Sequence, residues 1–213
     1  MRPATVTPGN ADLLLVVDVQ VDFLPGGALP VPGGDAVVEP INALQHRFRH
    51  VVLMQDWHPA DHVSFAETHP GRAPFETIVL PYGPQVLWPR HCVQGSRGAT
   101  FAPGLATDRA SLVVRKGLDP RVDSYSAFLE ADRATRTGLA GALRERGITR
   151  VAVCGLATDF CVAWSALDAR DAGFEVLVVE DAVRGIDVDG SLAQAWARME
   201  AAGVRRIAAA QIG

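Results

Sequence analysis

Asp12-Leu-Leu-Leu-Val-Val-Asp18 is the stretch that decides how this chain folds. Five aliphatic residues in a row, with no polar alternation, are the pattern of a strand covered on both faces. The same pattern returns at Val51–Asp56 (VVLMQD), Leu112–Lys116 (LVVRK), Arg150–Gly155 (RVAVCG), Glu175–Glu180 (EVLVVE) and Arg206–Ala210 (RIAAA). Between these runs lie helical patterns at Ala36–Arg49, Arg136–Arg146, Asp159–Ala172 and Ser191–Ala202. Gly147, Gly173 and Gly203 close several of them, as glycines often close helices. Strands alternating with helices in this way predict a doubly wound α/β sheet, in one domain spanning residues 1–213.

Composition narrows the function. Of the 213 residues, 48% are apolar and 21% charged, the balance of a globular domain. The longest aliphatic run, Leu13–Val17, is far short of the ~20 residues that span a bilayer, and no apolar leader precedes it. Net charge is −4 with scattered basic residues, which argues against a nucleic-acid surface. Three cysteines make no disulfide framework, so a reducing cytoplasm is the expected setting. Neither a membrane nor a nucleic acid is expected as a partner; a homo-oligomer is left open.

One segment breaks the alternation. Residues 57–111 are rich in Pro, Gly, His and aromatics and too long for an ordinary crossover, and long irregular segments in compact domains usually carry function. In an open parallel sheet, ligands bind outside the carboxyl ends of the strands. The residues to weigh are therefore Asp18, Asp56, Lys116 and the segment after Gly155. Asp18 either caps a loop or serves as a base. Of the 20 basic residues, 19 are arginine and Lys116 alone is lysine. Either that is chance, or the position needs a compact ammonium that a planar guanidinium cannot replace.

Three cysteines compete for the role of nucleophile. Cys154 lies in an apolar strand, where a thiol behaves as a small hydrophobe, and Cys92 follows His91 in the long loop. Cys161 sits where a strand turns into a helix. With Thr158 or Asp159 as N-cap it falls in the first turn, where the helix dipole favours a thiolate and the amides can hold an oxyanion. The bland alternative is a packed helix residue. Asp56 and His58 at one strand end, with His91 later in the loop, offer a carboxylate and two imidazoles to Zn²⁺, Mn²⁺ or Fe²⁺. Together, Asp18, Lys116 and Cys161 supply a base, a cation and a thiol for covalent catalysis.

These motifs, in order, resemble the nicotinamidases of the isochorismatase-like cysteine hydrolase superfamily. They are Asp18-x-Gln20-x-Asp22-Phe23, Gln55-Asp56-Trp57-His58-Pro59, Trp88-Pro89-x-His91-Cys92-Val93, Arg115-Lys116-Gly117 and Gly155-Leu-Ala-Thr-Asp-x-Cys161-Val162. Val122-Asp-Ser-Tyr-Ser-Ala-Phe128 also resembles the nicotinamidase branch, and the likeness runs from about Asp12 to Ile207.

The resemblance implies a three-layer α/β/α fold on a six-stranded parallel sheet. It implies an Asp18–Lys116–Cys161 triad, and a metal, zinc foremost, on Asp56, His58 and His91, with His62 as a further ligand in some members. It also implies a cis peptide before Ala157 and an oxyanion hole from the amides of Ala157 and Cys161. Phe23, Trp88 and Tyr125 would contact the substrate. At Phe160, some members carry histidine or tyrosine. The implied reaction converts nicotinamide to nicotinate and ammonia through a cysteine thioester, in NAD salvage, with pyrazinamide as a further substrate. The competing enzyme reading is a related amidohydrolase acting on another small amide, such as an N-carbamoyl compound. A binding protein that has lost turnover is the reading outside enzymes.

Overall fold

The structure, a computed structural model, describes residues 5–213. Six parallel strands form the main sheet: β1 (Asp12–Val17), β2 (His50–Asp56), β5 (Leu112–Lys116), β6 (Arg150–Leu156), β7 (Glu175–Arg184) and β8 (Arg205–Ile207). Their order across the sheet is β5-β2-β1-β6-β7-β8. The chain thus winds outward from β1 in one direction, then returns to β6 and winds outward in the other. The point where winding reverses lies between β1 and β6, which is where open α/β sheets form their ligand crevice.

Both faces of the sheet are covered, as the unalternating strands require. On β1, Leu14 and Val16 pack in one apolar layer with Ile41 and Leu44 of α1 (Val38–Gln45). Leu13, Leu15 and Val17 pack in the opposite layer, against α2 (Leu139–Glu145), α3 (Ala163–Asp171) and α4 (Ser191–Ala201). The expected three layers are present.

Boundaries moved where local chemistry overrode periodicity. The helix expected over Ala36–Arg49 is a 3-10 turn, Gly34–Val37, followed by the eight-residue α1. The pattern over Arg136–Arg146 begins helically only at Leu139, because Gly138 is left-handed at the N-cap and Arg136 bridges to Leu129. Strand β7 runs on to Arg184, past the expected end at Glu180, while β8 stops at Ile207 and passes into a 3-10 turn, Ala209–Gln211. The long loop is not wholly irregular. It holds an antiparallel hairpin, β3 (Thr77–Leu80) with β4 (Gly83–Val86), joined through Pro81 and Tyr82.

Gly155 is where close packing of the sheet demands glycine. Its φ is +112°, and a Cβ there would run into the backbone of Val17 on the neighbouring strand. Gly155→Ala therefore combines a forbidden backbone region with a clash that only strand displacement relieves. It should destabilise the fold by about 3 kcal/mol or more, read as a lowered midpoint in denaturant unfolding. A loss under about 1 kcal/mol would show that the two strands can separate cheaply there.

Candidate active site

Four strand ends deliver the chemistry to one place. β1 ends at Val17, and Asp18 follows with φ +46°, a left-handed turn out of the sheet. β2 ends at Asp56 and β5 at Lys116, and the parallel register pairs these two residues directly. The segment after β6 brings Cys161. The Lys116 ammonium is completely buried. It lies 3.2 Å from Asp18 Oδ2, 2.8 Å from the Ser124 carbonyl and 3.5 Å from Cys161 Sγ, and it is tightly paired with Asp56 Oδ1. Ligand atoms of Asp18, Asp56 and Cys161 all lie within 4.8 Å of one another. The proposed base, cation and thiol are thus brought together.

Burial and charge set their protonation. Burial disfavours the charged form of Lys116, but Asp18 and Asp56 outweigh it and hold the ammonium well above its ordinary pKa. Burial pushes the Asp18 carboxyl up to about 7; Lys116 opposes this rise and the Asp56 charge adds to it. Lys116, 3.2 Å from Oδ2, and the Cys161 thiol are the groups that face the Asp18 carboxylate, and no backbone amide of a described residue satisfies either oxygen, which leaves it ready for a proton. Asp56 goes the other way. Lys116 and His58 overcome its burial and hold it well below the usual carboxylate range.

The thiol departs from expectation. Burial raises the Cys161 pKa well above normal, with Lys116 pulling down and Asp18 pushing up. Cys161 is also not in the first turn of an α-helix. Thr158–Val162 form a π-helical turn with Ala157 at its N-cap, and α3 begins only at Ala163. Neither Thr158 nor Asp159 caps the turn with its side chain. The Asp159 carboxylate instead accepts hydrogen bonds from residues 186, 187 and 191, so it is unavailable to its own turn. At rest the thiol is protonated and needs a base, which is the state Asp18 is placed to change. The Leu156–Ala157 peptide is cis, as the resemblance implied, and the amides of Phe160 and Val162 both donate to the Ala157 carbonyl at 3.1 Å.

Asp56, His58 and His91 form a second group on the same wall. His58 Nε2 is 3.5 Å from Asp56 Oδ1, and His91 Nε2 is 3.8 Å from Oδ2, all buried. The other ring nitrogens are occupied: His58 Nδ1 meets the Gly117 carbonyl at 3.1 Å and His91 Nδ1 the Pro89 carbonyl at 2.7 Å. A carbonyl partner makes each Nδ1 the donor and leaves Nε2 with its lone pair aimed inward, the arrangement that orients metal-binding imidazoles. These residues fit a divalent cation. Against burial, the Asp56 charge raises the His58 pKa, so a cation bound there takes the place of a proton. His62 stacks on His58 at 4.1 Å, but its Nδ1 lies 2.7 Å from Ser64 Oγ and its Nε2 3.2 Å from the Val122 carbonyl. Burial, then His58, lowers its pKa to about 4, so it is a neutral neighbour with both nitrogens engaged.

Cys161 of the first group and Asp56, His58 and His91 of the second line one small cavity, together with Phe23, Trp88, Tyr125, Ala157 and Phe160 among others. Trp88 donates its indole N–H to the Tyr125 hydroxyl at 2.9 Å, and Phe160 meets the Trp88 ring edge-to-face at 4.8 Å. Phe160 therefore contributes apolar surface where a polar contact was in question. Several supporting residues escaped the sequence reading. Gln20 grips the Asp56 backbone in both directions at 2.8 Å, and Gln85 of the hairpin reaches Asp123 at 2.6 Å. No periodicity marks such residues, and only Gln20 stood inside a recognisable motif.

Comparison with known proteins agrees with this geometry. The isochorismatase domain profile matches residues 12–211. A nicotinamidase from Acinetobacter baylyi is 55% identical over 95% of both chains. PnC1 from L. infantum in complex with nicotinate superposes with a TM-score of 0.86 at 44% identity, covering 98% of each chain. The pyrazinamidase of Pyrococcus horikoshii in complex with zinc gives a TM-score of 0.76 at 38% identity, over 93% of this chain and 99% of that one. The profile match places the chain in the isochorismatase family, and relatives such as the Acinetobacter protein are nicotinamidases.

Proposed function

We propose that this enzyme hydrolyses nicotinamide to nicotinate and ammonia, with Cys161 as nucleophile and zinc as the resident cation. The observation that carries the reading is the meeting, at one cavity, of Cys161, backed by Lys116 and Asp18, with the Asp56–His58–His91 group. A cation on that group, when bound, offers a Lewis-acidic partner to a pyridine nitrogen. An N-carbamoyl substrate would leave that group without a role. A pyrazine carboxamide presents the same ring nitrogen, so pyrazinamide belongs to the substrate class. Three free cysteines suit a reducing cytoplasm, and the reaction itself would place the enzyme in NAD salvage; among the described residues no helix is long and apolar enough to cross a membrane.

The protein residues divide the work as follows. Asp18 takes the Cys161 proton, and the thiolate attacks the amide carbon, forming the C–S bond. The amides of Ala157 and Cys161 hold the oxygen that becomes negative. Asp18 returns its proton to the nitrogen as the C–N bond breaks, releasing ammonia and leaving a thioester. Asp18 then takes a proton from water, which attacks the thioester; the C–S bond breaks, Asp18 returns that proton to the sulfur, and the acid loses its own proton to solvent and leaves as nicotinate. Lys116 stays charged throughout and fixes Asp18 beside the sulfur. Phe23, Trp88, Tyr125 and Phe160 close on the ring and keep water out.

The decisive experiment measures ammonia released from nicotinamide by the wild type and by Cys161→Ala. Alanine suits the turn and removes only the sulfur, so the variant should fold and lose at least ~1,000-fold in rate. Turnover by Cys161→Ala near the wild-type rate would reject the covalent route.

The pH profile tests the base. Asp18 must be ionised to accept the thiol proton, and its pKa is raised to about 7. Activity should therefore fall as pH drops through the neutral range, approaching tenfold per unit, and level off above it. A kcat/KM limb at the ordinary carboxylate value of about 4 would show that another group titrates.

His58→Ala tests the cation. Zinc bound per chain should drop by about 10-fold or more at equal free zinc, and KM for nicotinamide should rise. A variant that binds zinc normally would remove His58 from the ligand set.

A further inference from the structure

Asp159 lies two residues before Cys161 in the same turn, is buried, and points away from the ammonium cluster into a different set of partners. Its carboxylate accepts hydrogen bonds from the Ile186 amide at 3.0 Å, the Asp187 amide at 2.8 Å and the Ser191 hydroxyl at 2.5 Å. Ile186 and Asp187 belong to the connection between β7 and α4, and Ser191 is the first residue of α4. That connection is held in an unfavourable shape, with Asp187 at φ +60° and Asp189 at φ +50°, although neither is glycine. Such residues persist only where their surroundings enforce them. The fit is also tight: a Cβ on Gly185 would lie 3.0 Å from Asp159 Oδ1 and 2.8 Å from Leu192 Cδ1. Ile186, the first residue clamped, lines the cavity together with Phe23, Leu29 and Cys161.

We infer that Asp159 is a positioning residue for substrate selection, fastening the 185–190 loop so that Ile186 forms a fixed apolar wall of the cavity. The inference rests on reading that cavity as the nicotinamide site. One carboxylate thereby ties the nucleophile's turn to the wall that judges the ring. A rigid wall rejects ring substituents that a loosened one admits, because discrimination by an apolar surface depends on how little it can yield. Replacing the carboxylate by an amide puts N–H donors against the loop's own N–H groups and removes an acceptor.

The test compares Asp159→Asn, Ile186→Ala, the double variant and Ser191→Ala. Each single change at 159 or 186 should raise KM for nicotinamide about tenfold and leave kcat within about threefold, the pattern of lost ground-state binding. Because both act through one wall, the double variant should be no worse than about the larger single effect, not their product. Relative kcat/KM for a ring-methylated nicotinamide should rise about tenfold in Asp159→Asn. Ser191→Ala, which leaves the nucleophile's turn untouched, should shift KM in the same direction by less, and it decides the matter if Asp159→Asn does not fold. A fall in kcat at constant KM, or multiplying effects, would overturn the inference. A second readout needs no turnover: mass spectrometry follows alkylation of Cys161 by N-ethylmaleimide and by iodoacetamide. The rate ratio should shift toward the bulkier maleimide in Asp159→Asn, and an unchanged ratio would overturn the clamp. Wild-type protein inactive on nicotinamide would reject the substrate reading alone, since the alkylation ratio still decides the clamp.

Discussion

A buried ammonium organises this protein. Lys116 has no contact with solvent, and taking its charge out of water costs several kcal/mol. Two carboxylates, Asp18 and Asp56, offset that cost, with the Ser124 carbonyl as a further acceptor. The same arrangement gives the two acids different characters. Asp56 is locked in its charged form, while Asp18, more weakly held and with free lone pairs, is left titrating near neutrality. Two carboxylates a few ångströms apart thus part ways, one held charged and the other titrating near neutrality, separated by environment alone.

The solitary lysine has its explanation in that cluster. An ammonium presents three donors from a single point, and here carboxylates, a carbonyl and a sulfur surround that point. A guanidinium spreads its charge over a plane and tends to bind one carboxylate through two parallel bonds. It would hold one acid well and displace the other partners. Arginine serves elsewhere at positions such as Arg133, paired with Asp168, and Arg206, paired with Glu180, where the guanidinium reaches solvent and has room for its fork.

Placement of the site follows from the reversal of winding between β1 and β6. Parallel strands leave their carboxyl ends at one edge, so Asp18, Asp56, Lys116 and the Cys161 turn arrive there from far-apart parts of the chain. The long loop supplies what strands cannot: Trp88 and His91, held over the edge, close the cavity. Gln20 secures the junction by gripping the Asp56 backbone from the loop after β1, so the two acids are set relative to each other through the main chain as well as through the lysine.

The sequence by itself determined the layers, the strands and the residue types of the site. Apolar runs without alternation can exist only between two covered faces, and residues at strand ends must emerge at one edge. Asp18, Asp56 and Lys116 were legible for that reason, while His58, His91 and Cys161 were marked by their residue types in the loop and the turn beyond the strands. What tertiary structure decided is everything that depends on burial and on contacts distant in sequence. The Cys161 turn is π-helical and its thiol pKa is raised, where local reasoning pointed to an α-helical first turn and a lowered value. Asp159 looked like an N-cap because its neighbours in sequence suit one, yet the β7–α4 loop claims its carboxylate. The hairpin at residues 77–86 was hidden because half-exposed, four-residue strands bury too little to leave a pattern. Protonation and the partners of buried polar atoms are set by solvent exclusion and by groups that only folding brings near, and no local stretch of sequence encodes either.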